Sequence, residues 1–174
     1  MQRKLDFQRR SDDEQSKQWG LTLDLEELAR KGSMSAQQKN IAKWYGIYHS
    51  RQPGDLMVRV VIPGGQLTSV QARALGKLSA KYSPQRISFT TRQSAQFHKV
   101  KLAEVAQLLR DLKQVGLTTF HGCGDVNRNV AACPWASVCE HRRLDVLPHA
   151  KETSDLMAAS RDLDNLPRKF KITF

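Results

Sequence analysis

The sequence predicts an α+β fold, with helices laid against one face of an antiparallel sheet, and three observations carry that expectation. Residues 56–62 (LMVRVVI) form a β-branched run closed by Pro63, Gly64 and Gly65. Leu102, Val105, Leu108, Leu109, Leu112 and Val115 repeat at helical spacing up to Gly116. Between them, Thr68 followed by Gln71 is a capping-box signature that opens another helix, and two short strand-like runs come after it.

Taken in chain order, residues 1–20 alternate charges and amides with few aliphatics and read as a flexible arm. Leu21, Leu25 and Leu28 recur at spacings of four and three, which predicts a short amphipathic helix over 22–31 ending at Gly32. Aromatic and β-branched residues over 41–48 suggest a strand, and Arg51, Gln52, Pro53, Gly54 and Asp55 then turn the chain. The helix opened by Thr68 should run to Tyr82 with Val70, Ala74, Leu75 and Leu78 on its core face, before Ser83 and Pro84 stop it. Residues 86–90 and 95–100 read as strands joined by a polar turn at Thr91, Arg92 and Gln93. Strand, helix, strand, strand, helix suggests a ferredoxin-like split βαβ unit, with helices on one face of an antiparallel sheet. From 118 to 174 the character changes. Residues 120–132 (FHGCGDVNRNVAA) read as a loop, a Pro-interrupted and largely helical stretch follows to 163, and the closing LPRKFKITF alternates like a strand.

Lys and Arg number 28 against 17 Asp and Glu, a formal charge of +11, so the favoured partners are anionic. Nucleic acid, a polycarboxylate cofactor, an acidic electron carrier or a small inorganic anion would each account for the excess, as would a solvated basic surface. No stretch approaches the roughly 20 apolar residues of a membrane span, and MQRKLDFQRRSDDEQ lacks the apolar core of a secretory signal, so the chain reads as cytosolic with no membrane partner. Cys123, Cys133 and Cys139 are an odd, clustered set, which fits reduced thiols better than a disulfide framework.

Four basic groups interrupt segments that should otherwise be core or tight turn. Arg59 lies inside an apolar strand, so it needs either an anionic partner in a polar cavity or a structural ion pair. Thr90, Thr91 and Arg92 sit at the turn before 95–100, where Gln96 and His98 share a face because side chains alternate along a strand. Asn127, Arg128 and Asn129 follow a glycine-rich loop whose free backbone N–H groups suit carboxylates or oxyanions, although a plain Asp/Asn capping loop has the same composition. Arg168, Lys169, Phe170 and Lys171 end the series. On an extended strand Lys169 and Lys171 project to one face about 7 Å apart, close enough to grip one small anion.

In that order MVRVVIPGGQLT, TTRQ-x-x-QFH, GDVNRNV-x-x-CP and LPRKFK resemble the sirohaem-containing sulfite and nitrite reductases, over residues 45–174. The resemblance implies a ferredoxin-like half domain over 21–117 and the beginning of a sirohaem-binding α/β domain over 118–174. It implies that Arg59, Arg128, Lys169 and Lys171 bind the sulfite or nitrite anion and deliver protons, and that Thr90, Thr91, Arg92, Gln96, His98 and Asn129 hold the sirohaem. A ferredoxin or flavoprotein would donate the electrons, and the resemblance does not separate sulfite from nitrite. Where family members carry further basic residues, this chain has Val61 and Ser88. The family's [4Fe–4S] cluster takes four cysteines in C-x5-C and C-x3-C pairs well after the lysine motif. No C-x3-C pair occurs here, so Cys133 and Cys139 read as structural or free thiols, with no metal ligands in the chain. A complementary C-terminal half or an oligomeric partner is therefore expected to complete an otherwise inactive fold. The competing class is a non-catalytic basic binding module, a sirohaem carrier or nucleic-acid binder. Nucleic acid is the weaker choice because residues 56–62 offer no stacking aromatic.

Overall fold

The computed structural model describes residues 23–50, 54–83, 86–160, 163–164, 166–167 and 169–174. The expected arm over 1–20, Leu21, the turn residues Arg51 to Pro53, the helix stop at Pro84 and Arg168 lie outside the described residues.

Helix α1 (Leu25–Lys31) begins where Asp24 accepts from the Glu27 N–H and ends at Gly32, whose φ of 69° is the left-handed cap expected at that position. Helix α2 (Ala36–Ala42) was not expected, and its last two residues occupy the start of the expected 41–48 strand. Ser35 and Gln38 form a reciprocal capping box that fixes its first turn, and Ile41 and Ala42 bury its end. The aromatics Trp44 and Tyr45 then lie in a turn, and only Ile47–His49 forms strand β1. Gly46 makes that turn possible. Its φ is 73°, and a Cβ there would stand 2.7 Å from the Arg59 carbonyl oxygen.

Strand β2 (Asp55–Val60), helix α3 (Ser69–Tyr82), strands β3 (Ile87–Phe89) and β4 (Ala95–Lys101) and helix α4 (Leu102–Gln114) follow as expected, with a one-turn 3-10 helix at Pro63–Gly65. Thr68 and Gln71 complete the capping box that opens α3. The sheet runs β1-β2-β4-β3 with every neighbouring pair antiparallel. β4 thus sits between β2 and β3, the strands that α3 connects, which is the split βαβ arrangement. After α4 the chain returns beside β2, where the Val61 N–H donates to the Thr118 carbonyl at 2.8 Å.

One sheet face carries Val58, Val60, Ala95, Phe97 and Val100, which pack with Leu28, Leu75, Val105, Leu108 and Leu112 from the helices, all buried. Phe97 and Val100 share that face although they are three apart. A β-bulge reconciles them: Leu56 pairs with Val100 but Val58 with Phe97, so His98 and Lys99 together oppose Met57, and Lys99 takes a φ of 57°. Val70 was expected in the core and is instead 61 % exposed. Leu75, Leu78 and Tyr82 define the inward stripe of α3, and Val70, five positions before Leu75, lies about 140° around the helix from it.

Residues 120–132 have no regular structure, as expected, yet His121 to Asn127 and Asn129 to Ala132 are buried rather than surface loop. In the stretch beyond, the helix is confined to α5 (Leu147–Ala159), which packs Ala150 on Val130 and Ala132. The closing segment is not one long strand. Phe170 N–H donates to the Pro167 carbonyl at 3.0 Å and Lys169 has a φ of 63°, a turn that breaks the alternation. Beyond it the chain runs parallel to 128–133, with Ala131 N–H donating to Ile172 O at 3.2 Å and Phe174 N–H to Ala131 O at 3.0 Å. Among the described residues no helix is long and apolar enough to cross a membrane.

Phe97 is fully buried, so Phe97→Ala is expected to cost about 3–5 kcal/mol of unfolding free energy in urea titrations. Val70→Ala is expected to stay within about 0.5 kcal/mol. Equal effects would contradict the burial assignment.

Candidate anion-binding site

Arg59 and Gln96 are cross-strand partners on β2 and β4, on the sheet face away from the helices. With its amide oxygen turned towards the guanidinium, Gln96 accepts from Arg59 Nε at 3.0 Å and Nη2 at 2.6 Å. Arg59 Nη1 donates to the Gly122 carbonyl at 3.2 Å. These three hydrogen bonds, to two neutral acceptors, orient the guanidinium without neutralising it, so its charge is available to a ligand. The structural ion pair that sequence alone left open is not among the contacts of Arg59 in the described residues.

A cavity of about 140 Å³ opens beside it, lined by Arg59, Arg92 and Arg128 with Thr90, Ser94 and Asn129, and Gly122 as floor. Three guanidinium groups and no carboxylate line this space. Arg92 donates from Nη2 to the Ile172 carbonyl at 2.6 Å, while its Nε is buried with no partner. Burial, and secondarily the charge of Arg128, push the pKa of Arg92 below its usual value. An anion would relieve both causes at once.

The turn that presents Arg92 is held from three sides. Thr90 Oγ1 accepts from Arg92 N–H at 3.3 Å and Ser94 N–H at 3.2 Å. Asn129 donates to Ile62 O at 2.8 Å and Arg92 O at 2.9 Å and accepts from Ile62 N–H at 2.9 Å. Gln93, at a φ of 57°, donates to Ala132 O at 2.8 Å and accepts from Ala132 N–H at 2.9 Å. Asn129 therefore lines the cavity chiefly as a clasp between loops, and Gln93 is a second clasp that sequence reasoning left without a role. Thr91 is exposed at the tip of the turn.

His98 lies off this cavity. Its Nε2 meets Ser88 Oγ at 3.1 Å and it borders a separate depression of about 240 Å³ with Arg86 and Lys99. Lys169 and Lys171 are exposed and do not line the arginine cavity. Their segment is nonetheless tied to it, since Arg128 N–H donates to the Phe170 carbonyl at 3.1 Å. Because Lys169 sits in the left-handed turn, the expectation that both lysines leave one strand face together does not hold.

Cys123 is buried next to the cluster. Burial pushes its thiol pKa up, against the opposing charges of Arg59 and Arg128. Cys133 is exposed, Cys139 is half-buried, and no group of three or more potential metal ligands occurs among the described residues. Sequence reasoning also missed His121 and Asp164, a buried pair whose Nε2 and Oδ1 stand 2.7 Å apart. The glycines around His121 marked it as loop, and nothing in a linear pattern joins it to a residue forty-three positions on. Arg128 and Asn129 also line a larger cavity of about 610 Å³, together with residues of α5, the start of α3, and Leu117, Thr118, Phe120 and His121.

Burial first and Arg86 second hold the His98 pKa below 6.5. The unfolded chain then takes up the proton more readily, so the contribution of His98 to stability is present above pH 6.5 and is lost as pH falls from there towards the folded value. NMR titration is expected to place the His98 ring midpoint below 6.5, and His98→Gln to flatten the acid-side loss of stability. His49, lowered by burial and Lys39, supplies a remaining slope. A His98 midpoint above the ordinary value would contradict the geometry.

Residues 48–115 match the nitrite/sulfite reductase ferredoxin-like half domain, and residues 123–174 match the nitrite and sulphite reductase 4Fe-4S domain. The ferredoxin–nitrite reductase of Arabidopsis thaliana chloroplasts is 32 % identical over 163 residues, covering 85 % of this chain and 28 % of that protein. A sulfite reductase [ferredoxin] of Mycobacterium tuberculosis is 28 % identical, covering 91 % of this chain and 33 % of that one. The structure of Mycobacterium tuberculosis NirA superposes with a TM-score of 0.84 at 27 % identity, over 94 % of this chain and 34 % of NirA. The chain thus spans about a third or less of the relatives it matches. It belongs to the nitrite and sulfite reductase family, with residues 48–115 matching the ferredoxin-like half domain and residues 123–174 the 4Fe-4S domain.

Proposed function

We propose that this chain provides the anion-binding part of a sirohaem-dependent reductase that converts sulfite to sulfide or nitrite to ammonia. The arginine cavity supports this reading above all: three guanidinium groups converge with no carboxylate among its lining residues, and the buried Arg92 Nε lacks a partner. That donor set suits a small oxyanion and the carboxylate rim of a tetrapyrrole. Arg59 and Arg128, with Lys169 and Lys171 brought up by the 170–174 segment, bind the substrate anion, and the lysine ammonium groups supply protons. Thr90, Thr91, Arg92, Gln96 and His98 hold the sirohaem periphery. Asn129 does so indirectly, by fixing the turn that carries Arg92.

Sirohaem and its companion [4Fe–4S] cluster would, when bound, relay electrons from the donor to the anion. The chain's own contribution is electrostatic. Donors already aimed into a partly buried site stabilise the anion without rearranging at each turnover. Gln96 and Gly122 hold Arg59 in that orientation. Electrons come from a ferredoxin or flavoprotein, in keeping with the ferredoxin dependence in the names of the plant and mycobacterial relatives. Cluster ligands come from a complementary segment, in the same polypeptide or another. The ferredoxin-like half domain runs over 21–117, and residues 118–174 begin the sirohaem-binding domain.

Expressed with sirohaem and the cluster-bearing complement, the protein is expected to show the Soret and long-wavelength bands of the bound cofactor, and Arg92→Met to reduce its occupancy. A colourless assembly would favour a non-redox binding module instead. Lys169→Met combined with Lys171→Met is expected to weaken substrate-anion affinity about tenfold or more, the scale of lost charge-assisted bonds. Unchanged affinity would remove the lysines' assigned role.

A further inference from the structure

We propose that His121 and Asp164 are a positioning couple for the anion site, fixing the 119–122 loop, and through Gly122 the Arg59 guanidinium, against the segment that leads to Lys169 and Lys171. This inference rests on the reading of Arg59 and its neighbours as anion ligands.

The pair is built into the interior. Nε2 of His121 stands 2.7 Å from Oδ1 of Asp164, with the side chains only 7 % and 5 % exposed. The contact is an ion pair when the imidazole is protonated. Taking two ionisable groups out of water is unfavourable unless their mutual attraction offsets it, and packing alone would be met as well by apolar residues. His121 is also held in the left-handed backbone region that non-glycine residues seldom adopt, at a φ of 62°. Its N–H donates to the Trp44 carbonyl at 2.6 Å, and its ring stacks on Phe120 at 4.2 Å between centroids.

One residue further, Gly122 donates its N–H to Thr119 O at 2.9 Å and accepts from Arg59 Nη1 at 3.2 Å. A Cβ on Gly122 would lie 2.7 Å from the Arg59 carbonyl, so loop and strand touch backbone to backbone. A displacement of His121 is therefore transmitted to the guanidinium with little slack. At the other end, Asp164 lies two residues before Leu166, whose N–H donates to Asp125 O at 2.9 Å, and five before Lys169. The pair thus joins the sheet's arginine to the closing segment's lysines across the interior. Removing the aspartate charge loosens that joint, and the Gly122 carbonyl no longer holds Arg59 in place.

The test uses the full chain, with sulfate as a non-reducible oxyanion probe, and reads sulfate affinity together with the Arg59 Nε–H signal in proton–nitrogen NMR spectra. Asp164→Asn is expected to weaken sulfate binding about fivefold or more, the range of coupled neighbours, and to shift or broaden the Arg59 signal. Circular dichroism checks that the variant is folded. Should Asp164→Asn fail to fold, His121→Gln decides by the same two readouts. Sulfate affinity within twofold of the unmodified chain and an unmoved Arg59 signal would overturn the positioning role. Arg59→Met separates the two ideas. If it weakens sulfate binding while the pair variants do not, only the positioning role falls; if it leaves affinity unchanged, the anion-site reading falls and the positioning role with it.

Discussion

Arg59 leaves β2 on the side of the sheet that carries no helices, and its guanidinium is held between the amide of a neighbouring strand and the carbonyl of a buried loop. A cation in the middle of a β-strand is tolerable only where its donors are satisfied and its charge is left facing a polar space. The rest of the site follows from meeting that condition. The sheet must have one dry face, so Phe97, Val58 and Val60 turn towards the helices and leave Arg59 and Gln96 on the other. Residues 120–132 must then come up against the polar face, bringing Arg128 to the cavity, and the Arg128 N–H ties this loop to the Phe170 carbonyl of the closing segment.

That loop is unusual in being irregular and buried at once, which requires a partner for its backbone polar groups. Side chains supply some of them: Asn129 pairs with both polar groups of Ile62, and Gln93 with both of Ala132. Each amide takes the place of a neighbouring strand. The arginine turn and the loop are thereby joined edge to edge without a ladder, and the cavity between them keeps a fixed outline.

The elements set by local chemistry were the most legible. Thr68 with Gln71, Gly32 and Gly116 each act within a few residues of themselves, and the leucine spacing of α4 reports its buried face directly. The departures arise where the decisive partner is remote or where two local signals compete. Ser35 and Gln38 fix a helix that the aromatic content downstream obscured, and Val70 is apolar but faces away from the stripe set by Leu75. Arg59 could be singled out as a charge inside an apolar strand, and Arg92 and Arg128 as guanidinium groups in a tight turn and a glycine-rich loop. His121 and Asp164 carried no such mark, being polar residues in polar stretches, and only folding brings them together. The lysine pair illustrates a third case. Both residues were visible, but their relative direction depends on a left-handed turn at a non-glycine residue.

The extra residue in β4 changes how this segment responds to altered length. Between Phe97 and Val100 the bulge works as a phase shifter, letting a strand of fixed period keep its dry side on both halves while the polar side is used only in the first. Exchanging Lys99 for another residue leaves that phase intact. Deleting it would turn every side chain on one half of the strand to the opposite face, placing either Phe97 in the polar space or Val100 outside the core. Position 99 therefore matters first as a length, with its left-handed φ disfavouring β-branched residues, and the spacing between the amide beside Arg59 and the start of α4 is constrained independently of the side chain at 99.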